Sequence, residues 1–387
     1  MTPRLPCRGL RRFNAPFTTV GRAVIPPPRR HASQSSPSPS PSASTPPPTQ
    51  RRWLRLVFVT AAAAGVGALF RSQQGPESST LNAVTFTPYC LVSRESVSST
   101  GSFFTLRPPK SDGSNHEVYE DAWRTGVWSV MFKQPQLQIG REYTPLPSTS
   151  SDVDGDDDEC LRFFIRKDPF GEVSRYLHSL DIGTPVEVRG PRIECEIPPE
   201  TQQILFIAGG TGIAPALQAG HTLLRRTNQA EHPKIHIMWA NRRREDCAGG
   251  MNDSPTTLAT PQTSWFSSLK MPKSSPPSVD APKDGEASLI VRELEALRAQ
   301  YPGQVTVDYF VDEEGTGIGK QSIWDSTNTA LSSVESGRRN LILVSGPEGF
   351  ISYMAGPKLW AEGMELQGPL RGILKELDLK DWAVWKL

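Results

Sequence analysis

The chain has 387 residues, 37% of them hydrophobic and 21% charged, a globular composition with too much length for one ordinary domain, so two domains are expected. Formal net charge is +1, yet residues 1–76 hold no Asp or Glu while Arg4, Arg8, Arg11, Arg12, Arg22, Arg29 and Arg30 lie there, which points to an address and excludes a broad nucleic-acid surface. Cys7, Cys90, Cys160, Cys195 and Cys247 form no CxxC pair and the histidines follow no metalloenzyme spacing, so neither a zinc site nor a disulfide framework is legible and buried thiols are the expectation.

In chain order, residues 1–52 read as an Arg- and Ser-rich mitochondrial presequence followed by a linker, the Pro/Ser/Thr-rich stretch from Pro26 to Gln50 being too poor in apolar residues to repay the entropy of ordering. WLRLVFVTAAAAGVGALF, residues 53–70, carries Arg55 near its start and no charge after it. Eighteen helical residues reach about 27 Å against a hydrocarbon core of about 30 Å, so one transmembrane helix fits, with Trp53, Arg55 and Arg71 at the interfaces. The basic N-terminal flank favours leaving that end in the matrix and the C-terminal domain in the intermembrane space.

From Thr85 to about Ile197 come short apolar runs broken by Gly and Pro: TPYCLVSRESV, GSFFTL, GVWSVMFKQP, CLRFFIRK and TPVEVRGP. They predict an antiparallel β-barrel or sandwich over residues 80–198. Beyond residue 200 the period changes. ILFIAGG, KIHIMWAN, QVTVDYFV and NLILVSGP read as buried strands alternating with the helical stretches PALQAGHTLLRRT and LIVRELEALRAQ, which predicts an α/β parallel-sheet domain over 199–387. A Gly/Ser/Pro/Thr-rich stretch at about 247–288 reads as an insertion in it.

Within the second domain ILFIAGGTGIAP, Ile204 to Pro215, runs from a strand through Gly209, Gly210, Thr211 and Gly212 into a helix. That arrangement brings backbone N–H groups and a helix N-terminus up to a pyrophosphate, and glycine is expected where a Cβ would meet the ligand. In the first domain GREYTPLP, Gly140 to Pro147, places a guanidinium, an aromatic ring and a small hydroxyl together at Arg141, Tyr143 and Thr144. A third motif, GEVSRYLHSL from Gly171 to Leu180, sets a glycine turn before an amphipathic helix.

These motifs, in this order, resemble those of the ferredoxin reductase superfamily, the RxY(T/S) signature and the GGTGIAP loop above all, and over about residues 85–387 the chain looks like NADH cytochrome b5 reductases, most closely the membrane-tethered fungal cytochrome c import factors among their relatives. The resemblance implies an antiparallel FAD-binding barrel followed by an NAD(P)-binding domain. It implies that Arg141 holds the FAD pyrophosphate, that Tyr143 lies against the isoalloxazine and Thr144 near flavin N5, and that Gly171, Val173 and Ser174 cap the phosphates. Glu172 departs from the usual neutral residue. Arg166 aligns with a basic residue of the family, equally readable as a solvated strand-end charge. Ser345, Gly346 and Pro347 of SGPEGF resemble the turn beside the nicotinamide, with Ser345 where the family has cysteine; Trp385, or else Trp382, would cover the flavin, a core role being the plainer alternative for both.

Two signals point elsewhere. DVDGDDDE, Asp152 to Glu159, has the wrong glycine position for a calcium loop. Arg242–Arg244 could pair with a 2′-phosphate, whereas Asn241 and Asp246 resemble NADH-using members, so NADH is favoured over NADPH. By resemblance the function is FAD-dependent electron transfer from NAD(P)H to a haem acceptor, supporting haem attachment to cytochrome c, with haem, apocytochrome c, haem lyase and the inner membrane as partners and no nucleic acid. The alternatives are a reductase of the cytochrome b5 type and a non-catalytic assembly or import factor built on the flavin fold.

Overall fold

The computed structural model describes residues 80–109, 114–148, 159–226, 232–254, 287–331, 339–361, 363–377 and 379–387. The presequence, the hydrophobic segment 53–70, most of the acidic stretch (151–158) and most of the insertion (255–286) lie outside the described residues. Among those described, no helix is long and apolar enough to cross a membrane.

Seven antiparallel strands form the first sheet: β1 (Thr87–Ser96), β2 (Gly101–Arg107), β3 (Gly126–Gln134), β4 (Ile139–Tyr143), β5 (Pro145–Leu146), β6 (Leu161–Arg166) and β7 (Pro185–Glu196). Their spatial order is β4-β3-β7-β1-β2-β6-β5. The two edge strands, β4 and β5, are consecutive in the chain with only Thr144 between them. A sheet whose opposite edges are joined by one residue has to curl until they meet, which abolishes the open edges and makes the barrel expected from the sequence. Tyr89, Trp128, Phe132, Phe163 and Val186 fill its interior. Helix α1 (His116–Thr125), not foreseen in the sequence, packs against β3 and β7, and α2 (Glu172–Ser179) against β3 and β4, both adding buried residues to this core.

The second sheet is parallel, built from β8 (Thr201–Gly209), β9 (Lys234–Asn241), β10 (Val305–Val311), β11 (Arg339–Ser345) and β14 (Trp382–Lys386) in the order β10-β9-β8-β11-β14. β14 is the segment holding both C-terminal tryptophans. Chain order reverses beside β8, so the switch point lies between β8 and β11, where such sheets open a crevice. Around it run α3 (Ile213–Arg225), α4 (Leu289–Gln300), α5 (Lys320–Leu331), α6 (Glu348–Ala355) and α7 (Gly372–Glu376), with a small hairpin of β12 (Leu359–Ala361) and β13 (Met364–Leu366). All nine residues of β8 are buried, as a strand covered on both faces requires.

One core is continuous between the sheets: Val97, Phe103, Leu146 and Phe164 of the barrel side pack with Ile204, Phe206, Ile213 and Leu217 of the parallel domain. Polar bonds fix its rim. Arg162 Nη1 donates to Glu293 Oε1 at 2.8 Å, Thr222 Oγ1 donates to the carbonyl of Trp123 at 2.9 Å, and Arg226 donates to the carbonyl of Thr125 at 3.0 Å. Of the thiols, Cys195 and Cys247 are buried, burial pushing each up to about 12, whereas Cys90 is exposed, a departure from the buried state expected of all.

His221 sits on α3 at this interface, edge-on to Trp123 with centroids 5.5 Å apart. Burial, with Arg225 adding to it, pushes the imidazole down to about 4, so the folded chain keeps it neutral. The unfolded chain takes up that proton near pH 6.5. Between those values the unfolded state binds more protons, and acid favours unfolding. The melting temperature should therefore fall from pH 7 to pH 5 in wild type, and fall less steeply in His221→Gln, as followed by circular dichroism; equal slopes would show that His221 does not carry the linkage.

Candidate functional site

Two groups of residues selected from the sequence are each brought together by the fold. The first lies at the barrel seam. Alternation along β4 puts Arg141 and Tyr143 on one face, opposite Phe132 and Val130 of β3. The Tyr143 ring is half-buried with its centroid 5.1 Å from that of Phe132, and burial raises its phenol well above the ordinary range, so it stays protonated. Thr144, half-buried, is the closing residue between β4 and β5. Arg141 remains exposed, donating to the carbonyl of Gly140 at 3.0 Å and lying 3.9 Å from Glu172. That approach brings the N-terminus of α2 beside Arg141. Gly171 stands at the N-cap with extended backbone, so the first N–H groups of the helix have no side-chain cap. Ser174 is buried and used inside the turn: its hydroxyl accepts the N–H of Asp168 at 3.1 Å and donates to the carbonyl of Gly171 at 3.3 Å. Val173 points into the barrel core, which leaves only its backbone N–H for a ligand. Glu172, out of place beside phosphates by sequence, is partnered by Arg141.

The second group lies at the switch point. Gly210–Gly212, with Thr211 between them, form one tight turn from β8 into α3. The reason for glycine differs from position to position. A Cβ on Gly209 would come within 2.9 Å of the Phe350 ring, and one on Gly212 within 2.4 Å of the Ser345 carbonyl oxygen, so these two serve the contact between loops instead of clearing space for a ligand as expected. Gly210 alone faces outward, at φ +55°, with Arg166 Nη1 3.6 Å from a Cβ built there. The indole of Trp239 donates to the Gly210 carbonyl at 2.8 Å, a support the sequence did not disclose. On the other side of the crevice, Ser345 is buried at the end of β11, in register with Ala208 of β8, followed by Gly346 and by Pro347 at the N-cap of α6.

Arg166 ties the barrel to the second group. It projects from β6 of the barrel, pairs through Nη2 with the buried carboxylate of Asp246, and reaches the glycine turn. With its side chain 27% exposed it is not a solvated strand-end charge. Asp246 is also the acceptor for Ser98 Oγ at 2.7 Å, so its carboxylate is committed to the barrel instead of standing free for a ribose. Asn241, at the end of β9, is 2% exposed, and neither its Nδ2 nor its Oδ1 has a hydrogen-bond partner among the described residues; Arg166 Nε lacks one too. Buried polar atoms left unpaired cost about 1–3 kcal/mol each, so such a cluster at a strand-end crevice is what a polar ligand would complete. Trp382 is buried in the parallel-domain core, 7% exposed, and cannot cover a cofactor. Trp385 is 38% exposed and its indole donates to the Glu194 carbonyl of the barrel at 3.1 Å.

Residues 206–267 match the model of the oxidoreductase NAD-binding domain. Over 286 residues the chain is 25% identical to NADH-cytochrome b5 reductase 2-A of Vanderwaltozyma polyspora, covering 73% of this chain and 77% of that one. Its homologues are NADH-cytochrome b5 reductases. A shorter stretch of 81 residues is 44% identical to the cytochrome c mitochondrial import factor of Saccharomyces cerevisiae, covering 19% of this chain and 22% of that protein. Among solved structures, the cytochrome b5 reductase domain of Ulva prolifera nitrate reductase aligns at a TM-score of 0.49 and 17% identity, over 79% of this chain and 99% of that one. The reductase homologues are oxidoreductases, and the NAD-binding match covers the glycine turn, β9 and the arginine turn beyond it.

The division of labour among the glycines can be checked directly. Gly212→Ala drives a methyl group against a backbone carbonyl and should cost about 1–3 kcal/mol of stability in chemical denaturation, the usual penalty for overpacking. Gly210→Ala meets no backbone, and its cost should be confined to the left-handed φ, about 1–2 kcal/mol. A Gly212→Ala chain as stable as wild type would show that the two loops do not need that contact.

Proposed function

We propose that the chain is an FAD-dependent oxidoreductase that takes hydride from a nicotinamide dinucleotide at the crevice and passes electrons to a haem acceptor. The observation that carries this reading is Arg166, which projects from β6 of the barrel, pairs with Asp246 of the parallel domain and lies beside the glycine turn, Nη1 3.6 Å from where a Gly210 Cβ would stand. The residues present fit both cofactors: an exposed guanidinium and an uncapped helix start on the barrel side, an outward-facing glycine and unpaired buried donors and acceptors on the other. When bound, FAD would accept one hydride, an electron pair, and yield the electrons singly.

In this reading Arg141 would pair with the FAD pyrophosphate, releasing Glu172, and the N–H groups of Glu172 and Val173, at the helix start that Gly171 leaves without a side-chain cap, would complete the phosphate site. Tyr143, protonated and braced by Phe132, packs against the flavin ring, and Thr144 presents its hydroxyl near N5. The turn at Gly209–Gly212 receives the dinucleotide pyrophosphate with Arg166 as counter-charge, while Ser345, Gly346 and Pro347 border the nicotinamide. The serine hydroxyl at Ser345 can orient an amide as a thiol does, with a less polarizable atom facing the ring. Haem as acceptor, and a role in haem attachment to apocytochrome c beside a haem lyase, are inferred from likeness to the import factor alone.

The full chain in detergent should carry flavin, and anaerobic NADH should bleach its absorbance. Replacing Arg141 and Tyr143 together by Ala should remove the flavin. Gly210→Val should keep bound flavin while slowing its reduction by NADH by about 100-fold or more, because direct transfer tolerates little misplacement. Chemically reduced flavin of that variant should still reduce haemin. Flavin retained after loss of Arg141 and Tyr143 places the site elsewhere, and reduced flavin inert towards haemin favours the assembly-factor alternative.

The location proposed is the mitochondrial inner membrane, with residues 53–70 as anchor and the C-terminal domain in the intermembrane space, because the N-terminal flank is basic and acid-free. Protease added to mitochondria with ruptured outer membranes should then degrade the C-terminal domain. Protection until the inner membrane is dissolved would reverse the orientation.

A further inference from the structure

The turn after β9 carries three consecutive arginines, Arg242, Arg243 and Arg244, at the place where parallel dinucleotide sheets read the adenosine ribose. β9 lies beside β8 with Ala240 opposite Gly209, and adjacent strands are about 4.8 Å apart, so the turn begins next to the glycine loop. Arginine forks in that position would bind a 2′-phosphate through two parallel bonds. Here the forks are already engaged. Arg244 Nε donates to Glu314 Oε1 at 2.6 Å and Nη2 donates to Oε2 of the same carboxylate, while the Arg244 backbone N–H donates to Glu313 Oε1 at 2.5 Å. Arg243 Nη1 donates to Glu245 Oε1 at 3.0 Å, and that carboxylate also accepts Ser99 Oγ of the barrel at 2.6 Å. Arg242 is faced by Asp312, Asp168 and Asp246 as well as by Arg166. A bond from the Glu313 N–H to the Arg242 carbonyl, 3.2 Å, ties the arginine turn to the turn after β10 and holds Glu314 in place.

We propose that Glu314, supported by Glu245, makes this site select NADH over NADPH by holding Arg244 and Arg243 in ion pairs that a 2′-phosphate would have to break. The inference rests on the dinucleotide reading of the crevice and adds to it what decides between the two dinucleotides. A phosphate would arrive beside two fixed carboxylates and could use the Arg244 fork only by displacing the one bonded at both nitrogens. A 2′-hydroxyl meets no such conflict, since it is uncharged and can donate to a carboxylate oxygen. Of the three arginines, which by sequence point to NADPH, Arg243 is thus paired with an acid two residues on and Arg244 with one seventy residues further along the chain. Because Arg244 and Glu314 are 38% and 40% exposed, the discrimination should weaken as salt rises.

The test is equilibrium binding of NAD+ and NADP+ to the full chain by titration calorimetry, for wild type, Glu314→Gln, Glu314→Gln with Glu245→Gln, and Glu314→Gln with Arg244→Gln. Wild type should prefer NAD+ by about tenfold or more, and the double glutamate variant should lose that preference through a gain in NADP+ affinity of similar size. Adding Arg244→Gln should cancel the gain of Glu314→Gln, since the freed fork is what receives the phosphate. Equal affinities in wild type, an unchanged ratio in the glutamate variants, or a gain that survives removal of Arg244 would each overturn the inference while leaving the crevice assigned to a dinucleotide. Binding of neither nucleotide overturns the dinucleotide reading itself, and this inference with it.

Discussion

Everything at the site depends on one buried carboxamide. Gln218, 0% exposed on helix Ile213–Arg225, accepts the N–H of Trp128 at 2.8 Å and donates to the carbonyl of Pro145 at 2.8 Å. The helix belongs to the parallel-sheet domain and begins at the glycine turn. Pro145 is the residue after Thr144, at the closure of the barrel. One side chain therefore fixes the glycine turn, through a few helical residues of known rise, against the seam that carries Arg141, Tyr143 and Thr144. Both bonds are to backbone, which cannot rotate away, and both lie out of water, where an unmade bond costs most. The arrangement is preorganised before any cofactor arrives.

Around that fixed distance the charges are balanced in pairs that cross from one sheet to the other. Arg166 with Asp246 and Arg162 with Glu293 each join barrel to parallel domain, and Ser99 Oγ adds a hydrogen bond to Glu245. The first is the most deeply placed, with the Asp246 side chain 3% exposed, its carboxylate satisfied by Arg166 and by Ser98 Oγ. Asp246, which by sequence resembles NADH-using members, is thus occupied as an acceptor between barrel and parallel domain. It also leaves Arg166 held at Nη2, with Nη1 beside the glycine turn.

Much of this was legible in the sequence because it is local. Strand runs such as GVWSVMFKQP and KIHIMWAN declare themselves by apolar continuity and flanking turn residues, and the glycine turn by its position between a buried strand and a helix. The GREYTPLP residues could be named, yet not the reason they sit together: that β4 and β5 are the two edges of one sheet appears only in its strand order. What stayed hidden is non-local. Helix His116–Thr125 has only Tyr119 and Ala122 buried, too few to mark a periodicity among its charges. Gln218 looks like an ordinary helix former until Trp128 and Pro145 are brought to it. The arginine turn shows its own charges in sequence but not the glutamates that answer them, since Glu313 and Glu314 approach from the far side of β10.

The contact between Gly212 and Ser345 leaves little tolerance at the crevice. Two strand-end loops touch main chain to main chain, with no side chain between them that could shift to absorb an error. A Cβ on Gly346, at φ +152°, would come within 3.1 Å of the Gly209 main chain, so the loops meet at two points. Under the function proposed, the pyrophosphate is received on one of these loops and the nicotinamide bordered by the other, so the spacing of the loops fixes where the reactive ring can lie. Hydride transfer demands approach within roughly 3–3.5 Å, a margin that a displaced loop would consume at once. Gly210, pointing away from this contact and towards Arg166, is left to meet the ligand. The turn thus separates two demands on adjacent residues: Gly209 and Gly212 are small so that protein can touch protein, and Gly210 is small so that protein can touch something else.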